Sequence, residues 1–267
     1  MEINGTRALL TGATGGLGRA IAIALAERGS TLILSSRKGD ELEKLSAELP
    51  GSGHTAVVCD LAEPGAAEWL AGEGGAVDLL IANAALPGSG KLDGFSTEEI
   101  ARAVRVNLEA PMIMTRVLMP GMIERGAGHL VYVSSLSGKA ASPRASIYNG
   151  TKFGLRGFAL ALREDLAGDK TGVGASVVLP GFIRDAGMFA DSGAKAPAGA
   201  GTSTPEAVGA GVVKAIESNR AEVAVAPIQL RAMAQLAHVF PAIAGRAQRG
   251  GGTKTAERVA RGQTDKR

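Results

Sequence analysis

The sequence is poor in cysteine, in aromatic residues and in long apolar runs, and each shortage excludes something. Cys59 is the only cysteine, so no disulfide can form within the chain, and a reducing cytoplasm is the expected compartment. Aromatic residues make up only 3% of the 267 residues, so the core must be built from Val, Leu, Ile and Ala. No apolar run approaches the roughly 20 residues needed to cross a bilayer, and residues 1–7 carry no basic leader typical of a signal peptide.

Positive charge is concentrated at the carboxyl end of the chain. Residues 245–267 contain seven basic and two acidic residues, a net charge of +5, which leaves −2 for the rest of a chain whose total is +3. A body with this charge argues against nucleic-acid binding. His54, His129 and His238 lie at the edges of predicted elements without Asp or Ser partners, so the sequence predicts neither a catalytic triad nor a metal site.

Short apolar runs alternate with longer helical patterns. The predicted strands are 7–10, 31–35, 55–59, 77–82, 128–134, 174–179 and 222–226. The predicted helices are 17–27, 38–48, 97–118, 147–166 and 205–219. Such alternation predicts an α/β fold, a Rossmann-type doubly wound parallel sheet of about seven strands with helices on both faces.

The pattern predicts one domain followed by an extension. Residues 1–227 form the predicted dinucleotide-binding catalytic domain, which includes a lid at about 182–204, rich in Gly, Ala and Ser. Thr204 and Pro205 are a typical helix start after this lid. Residues 228–249 form a predicted helical extension interrupted by Pro241, and the basic tail 250–267 is predicted to be disordered.

A glycine-rich turn follows the first predicted strand. Residues 11–18 read Thr-Gly-Ala-Thr-Gly-Gly-Leu-Gly, directly before an amphipathic helix. Glycines at this spacing let the backbone turn tightly and approach a pyrophosphate at the positive end of the helix dipole. The strand-turn-helix context favours dinucleotide binding over a merely structural turn.

Four polar residues between positions 107 and 152 are candidates for chemistry. Tyr148 and Lys152 are four residues apart on a predicted helix and therefore share a face. An ammonium near a phenol is expected to lower the phenol pKa towards the working pH. Ser135, after the fifth predicted strand, could donate to a carbonyl oxygen, although a turn serine, as Ser134 is expected to be, is the alternative. Asn107 lies in mid-helix, where an amide is unfavourable unless it has a particular role.

In this order and spacing, the motifs over residues 6–226 resemble the short-chain dehydrogenases/reductases, in particular their compact single-domain branch. The resemblance implies reversible hydride transfer between a nicotinamide and a carbonyl or secondary alcohol. It implies Tyr148 as proton donor, Lys152 as its partner and ribose ligand, Ser135 as the group that polarises the carbonyl, and Asn107 as support of a proton relay. The residues that it implies for cofactor binding are Gly12, Thr14, Gly16, Leu17, Gly18, Ser36, Arg37, Asp60, Leu61, Asn83, Tyr148, Lys152, Pro180, Gly181 and Ile183.

The residues after the second strand bear on cofactor choice. Ser36 stands where NAD-using relatives carry Asp, and Arg37 stands where NADP-using relatives carry Arg. NADP(H) is therefore the expected cofactor, with NAD(H) possible, unless Arg37 and Lys38 simply begin a solvated helix. Asp60 either bonds the adenine amino group, as in the family, or caps a turn. Asp185 stands where the family usually carries Thr, which weakens the expected binding of the cofactor next to this residue.

The expected substrate is a small molecule with an apolar portion. The lid carries Phe182, Ile183, Met188 and Phe189 among small residues, which favours an apolar ketone or aldehyde, and acyl chains, steroids and xenobiotic ketones all fit. The alternatives are an epimerase or dehydratase on the same scaffold, a non-catalytic binding or regulatory protein, and a membrane-surface reductase of lipid or acyl substrates.

Two further expectations concern partners. The resemblance implies a homodimer or homotetramer, formed through the predicted helices 97–118 and 147–166. Residues 228–243 are apolar and precede a basic cluster, so peripheral membrane contact is possible. Packing over the pocket or against another subunit is favoured instead, because Pro241 limits a continuous amphipathic face.

Overall fold

The protein is an α/β fold built on a seven-stranded parallel sheet. The computed structural model describes residues 1–194, 196 and 199–262, without the side chains of residues 247–256. The strand order is β3-β2-β1-β4-β5-β6-β7. The strands are β1 (Arg7–Thr11), β2 (Thr31–Ser36), β3 (Thr55–Val58), β4 (Leu79–Ala82), β5 (Gly128–Val133), β6 (Val173–Pro180) and β7 (Glu222–Val225).

Helices connect these strands and cover both faces of the sheet, as two separate core clusters show. The helices are α1 (Gly16–Ala26), α2 (Gly39–Glu48), α3 (Ala66–Glu73), α4 (Thr97–Val104), α5 (Ala110–Glu124), α6 (Ser146–Gly168), α7 (Gly187–Asp191), α8 (Pro205–Glu217), α9 (Ile228–Val239) and α10 (Pro241–Arg261). The predicted doubly wound sheet is confirmed. Because the chain reverses direction across the sheet between β1 and β4, a crevice opens at the carboxyl ends of these strands, where ligands of such folds bind.

The centre of the sheet consists of apolar strands buried on both faces. Every residue of β4, β5 and β6 is buried, which is why these segments read as continuous apolar runs. Helix α8 begins as expected, with Thr204 accepting a bond from the Ala207 N–H at 3.2 Å and Pro205 in the first turn. No described helix is both long and apolar enough to cross a membrane.

Several predicted boundaries were wrong. The predicted helix 97–118 is α4, a π-helical turn at Arg105–Glu109 and α5, which continues to Glu124. Helix α3 was not predicted, and the lid contains the short helix α7.

The expected disorder from residue 250 was also wrong as far as Arg261, because α10 continues to that residue. Its end is held by contacts that the sequence does not reveal. Glu257 pairs with Arg144 at 3.4 Å, and Gly262 lies against the backbone of Ser192. The final part of the predicted tail, 263–267, lies outside the described residues.

Candidate active site

A single cleft of about 750 Å³ runs along the carboxyl ends of β1, β2, β4, β5 and β6. Its lining includes all the predicted site residues except Asn107. At one end lie Ser36 and Arg37, and at the other lie Ser135, Tyr148 and the lid residues Met188 and Phe189. The fold therefore brings together groups that are more than 100 residues apart in the chain.

The glycine-rich turn is shaped by close backbone contacts. Gly12 has φ +66°, a left-handed conformation that favours glycine. A Cβ on Gly18 would come within 2.1 Å of the Gly12 carbonyl oxygen, so only glycine fits there. Helix α1 begins without a side-chain cap, since its N-cap is Gly15. Its first N–H groups, with the positive end of the dipole, are therefore suited to a phosphate group.

The turn is tied to the neighbouring strands. The Asn83 amide donates to the carbonyl oxygens of Thr11 at 2.9 Å and Gly12 at 3.2 Å, which fits the structural amide that the sequence predicts. The Thr11 hydroxyl accepts bonds from the N–H groups of Asn83 and Ala84, a contact that the sequence reasoning missed. The Thr14 hydroxyl donates to that of Ser36 at 3.0 Å. These bonds hold the turn rigid beside β2 and β4.

The second polar group of the cleft centres on Arg37 and Asp60. Asp60 accepts a bond from the Ala62 N–H at 2.9 Å, so it does cap a turn, and its other oxygen lies 4.0 Å from the Arg37 guanidinium. Arg37 is about half-exposed and borders the cleft. Lys38 turns instead to Glu41, at 2.7 Å. The tight turn and the open helix start together fit a dinucleotide, and Arg37 borders the cleft beside them.

Tyr148 and Lys152 lie on one face of α6, as predicted. The Lys152 ammonium is buried, donates to the Val133 carbonyl oxygen at 2.9 Å and lies 5.8 Å from the centroid of the Tyr148 ring. Burial lowers the Lys152 pKa to about 8, because the charged form loses its hydration. The backbone of this turn is fixed by Ser134, whose hydroxyl donates to the Lys152 carbonyl oxygen at 2.9 Å.

The pKa of Tyr148 differs from the sequence prediction. Burial raises this pKa, and a hydrogen bond with Ser135 opposes the rise only in part. The expected lowering by Lys152 is not found, because the ammonium bonds to Val133 and lies over the ring. A phenol in this state remains protonated at neutral pH and can donate a proton.

Ser135 lies beside Tyr148 at the end of β5. Its hydroxyl contacts the Pro180 carbonyl oxygen at 3.4 Å and accepts a bond from the Ser137 N–H at 3.1 Å. Ser135 and Tyr148 line the cleft together with Pro180 and Gly181. Two adjacent hydroxyl donors can hold the oxygen of a carbonyl group and stabilise negative charge on it.

Asn107 does not reach the cleft. Its buried amide accepts from the Leu86 N–H at 2.7 Å and donates to the Leu86 carbonyl oxygen at 2.9 Å and to Thr151 at 3.3 Å. It lies in the π-helical turn, whose wider spacing allows this amide to face a loop and α6 at once. Asn107 is therefore a positioning residue in this geometry.

Asn149, next to Tyr148, was missed by sequence reasoning. Its amide donates to the Ser137 carbonyl oxygen at 2.7 Å and to that of Ala140 at 3.2 Å, so it fixes the loop between β5 and α6. A buried amide beside a candidate catalytic residue is the signal that could have revealed it.

The lid packs directly on the glycine-rich turn. A Cβ on Gly16 would lie 2.2 Å from the Ala186 methyl group, so the two segments touch. Asp185, which has φ +70°, is largely exposed and pairs with Arg184 at 3.2 Å. The rings of Phe182 and Phe189 pack at 4.8 Å and form part of an apolar wall at the substrate end.

None of the three histidines lines this cleft, whereas Cys59 does. Burial lowers the His129 pKa to about 3, and its ring bonds to Ser176 at 2.8 Å in the core, a partner that the sequence did not reveal. Burial also raises the pKa of the Cys59 thiol. Within the described part of the chain, His, Cys, Asp and Glu form no cluster that could hold a metal ion.

Comparison with known proteins agrees with this geometry. The family model of the short-chain dehydrogenases matches residues 6–197. The chain belongs to the short-chain dehydrogenase family. Among its relatives, the ketoacyl reductase HetN of Nostoc sp. is 38% identical over 229 residues, which cover 84% of this chain and 79% of that protein.

Two other comparisons extend over most of the chain. The dehydrogenase/reductase SDR family protein 7-like of Anopheles gambiae is 30% identical, with 91% of this chain and 81% of that protein covered. A short-chain dehydrogenase from Sphingobium yanoikuyae, solved in complex with NADPH, shares the fold with a TM-score of 0.76 at 24% identity. That match covers 93% of this chain and 95% of the solved chain. The family assignment makes this protein an oxidoreductase that acts on small molecules.

Proposed function

We propose that this protein uses NADP(H) to reduce an apolar ketone or aldehyde to an alcohol. The observation that carries the proposal is that Ser135, Tyr148 and Lys152 line one cleft together with the glycine-rich turn and Arg37. A bound nicotinamide supplies a hydride to the carbonyl carbon. The proton on the product oxygen then comes from the protein.

In this reaction Tyr148 donates its phenolic proton to the carbonyl oxygen, while Ser135 donates a hydrogen bond to the same oxygen. Lys152, whose ammonium lies 5.8 Å from the centroid of the Tyr148 ring, holds the ribose of the cofactor. Asn107 supports the proton relay by holding the π-helical turn against Leu86 and Thr151. The test is NADPH oxidation with a panel of apolar ketones and aldehydes. No oxidation with any of them would favour a non-catalytic binding role.

The substrate end supports an apolar ligand. Leu86, Pro87, Met188 and Phe189 line the cleft, and Phe182 packs on Phe189. The Nostoc relative is named a ketoacyl reductase, which makes 3-oxoacyl compounds the first members of the panel.

The cofactor preference rests on Arg37. Replacing Arg37 with Ala removes a charge-assisted hydrogen bond to a 2′-phosphate, of about 1.5 to 3 kcal/mol. We expect NADPH to bind about 10- to 150-fold more weakly, with little change for NADH, in fluorescence titrations.

Lys44→Ala provides the matched control, since Lys44 is an exposed cation on α2 that does not line the cleft. It should leave both affinities unchanged. Equal losses of NADPH and NADH affinity in Arg37→Ala would show that Arg37 merely begins a solvated helix.

We further propose that the protein is a homodimer or homotetramer that pairs through α4, α5 and α6. Val104, Val117, Ile123 and Phe153 lie on these helices and are more than a third exposed. Analytical ultracentrifugation at micromolar concentration should give at least a dimer, and Val117→Glu should weaken it. A monomer at that concentration would contradict the proposal.

A further inference from the structure

The carboxy-terminal extension presents an unusual apolar surface to solvent. Six large apolar residues on α9, in the connection after it and at the start of α10 are each 53% to 66% exposed. We call them the apolar patch: Ile228, Met233, Leu236, Val239, Phe240 and Ile243. Among the described residues, no other stretch of similar length has this many large apolar side chains exposed. An exposed apolar patch of this kind indicates an interaction site.

The opposite side of α9 fixes the orientation of the patch. Ala234 is buried, and Leu230 packs on the core, where its methyl group would lie 2.9 Å from a Cβ on Gly181. The helix is therefore anchored on one side and faces solvent on the other. The patch faces solvent and does not pack over the substrate pocket. Packing over the pocket was one of the two arrangements favoured from the sequence, and packing against another subunit was the other.

The net charge of residues 228–262 distinguishes between two remaining partners, a second copy of this chain and a lipid surface. Residues 228–262 contain six basic residues and a single acidic one, Glu257, a net charge of +5. Glu257 is already paired with Arg144 of the catalytic domain. Two copies that met through this segment would bring like charges together, which disfavours a second copy as the partner.

The segment also begins and ends beside the candidate active site. Leu230 touches Gly181 near its start, whereas Glu257 bonds Arg144 and Gly262 contacts Ser192 of the lid near its end. Whatever holds the apolar patch thus lies close to the elements that border the substrate end of the cleft.

We propose that the apolar patch and the basic residues around it dock this protein on an anionic lipid surface. The apolar side chains enter the region between headgroups and acyl chains, while Arg231 and Arg246, exposed cations within and just after the patch in the chain, meet anionic headgroups. Docking here brings the substrate end of the cleft close to carbonyl compounds dissolved in the bilayer.

The experiment is co-sedimentation of the full chain with vesicles of phosphatidylcholine containing about one third phosphatidylserine. We expect binding that decreases as salt increases and that is much weaker on pure phosphatidylcholine. The double variant Met233→Ser/Leu236→Ser should lower the vesicle affinity at least about tenfold, because two side chains no longer leave water.

Trp69→Ser is the matched control, because Trp69 is an exposed apolar residue on α3, outside the patch. It should bind vesicles like the unchanged protein. The single variant Ile243→Ser tests the same surface if the double variant does not fold, as judged by circular dichroism.

Two results would overturn the proposal. One is the absence of binding to anionic vesicles. The other is a concentration-dependent dimer, seen by sedimentation without lipid, that the double variant disrupts, since this would identify a second copy as the partner.

Discussion

Replacing Tyr148 with Phe is expected to lower NADPH-dependent ketone reduction by at least about 100-fold, the usual scale of general acid catalysis. The variant loses only the hydroxyl that bonds with Ser135, so the fold and the cofactor affinity should remain. Steady-state turnover and NADPH titration on the same sample separate these effects. Survival of turnover with normal NADPH binding would show that another group donates the proton.

The chain offers a matched control, because Tyr132 is its only other tyrosine. Tyr132 is buried in β5, with its hydroxyl 2.7 Å from that of Thr115. Tyr132→Phe should reduce the free energy of unfolding by about 0.5 to 1.5 kcal/mol through the lost hydrogen bond. Turnover should stay unchanged, since this hydroxyl lies outside the cleft.

Replacing Lys152 with Met should separate activity from stability. We expect turnover to decrease at least about 100-fold, because the ribose loses its ligand and the cofactor is no longer positioned next to Tyr148. The protein should nevertheless become more stable at pH 7. A pKa lowered from 10.5 to about 8 means that burial of the ammonium destabilises the fold by about 3 kcal/mol. The hydrogen bond from the ammonium to Val133 is lost as well, and a bond from a charged donor is worth about 1.5 to 3 kcal/mol, so the net gain is at most about 1.5 kcal/mol.

The pH dependence of unfolding gives this prediction a definite sign. Between about pH 8 and pH 10.5 the unfolded chain keeps a proton on Lys152 that the folded protein has released. The free energy of unfolding of the unchanged protein should therefore receive a stabilising contribution from Lys152 as pH rises through this window. The Lys152→Met variant should not show this contribution.

Urea unfolding at pH 7 and at pH 10 measures the difference in the free energy of unfolding between the unchanged protein and Lys152→Met. This difference should be larger at pH 7 than at pH 10. Lys44→Met, at an exposed position of α2, is the control and should change neither value. A variant that is less stable than the unchanged protein at pH 7 would contradict the predicted cost of burial.

The sequence by itself determined the features that depend on local pattern. Alternating apolar runs and helical periods predicted all seven strands, and the signal is clearest for β4, β5 and β6, which are buried on both faces. The glycines at 12, 16 and 18 predicted the tight turn, because they remove side chains that the backbone contacts exclude. The four-residue spacing of Tyr148 and Lys152 placed both side chains on one face of α6, which follows from helix geometry alone.

Other features depended on groups far apart in the chain, and only the tertiary structure decided them. The amide of Asn107 is satisfied by Leu86 and Thr151, so its direction depends on a loop and a helix that its own neighbours do not specify. The pKa of Tyr148 depends on how deeply α6 packs and on where Lys152 finds its acceptor, Val133.

The carboxy-terminal extension shows most clearly which features follow from the local sequence and which depend on tertiary contacts. Its apolar residues are evident in the sequence, but which of them face the core depends on where β7 ends and on the contact of Leu230 with Gly181. Helix α10 continues through residues 250–252 to Arg261, although the basic tail from residue 250 was predicted to be disordered. The contacts of Glu257 with Arg144 and of Gly262 with Ser192 hold its far end, and contacts between residues so distant in the chain cannot be derived from local propensity.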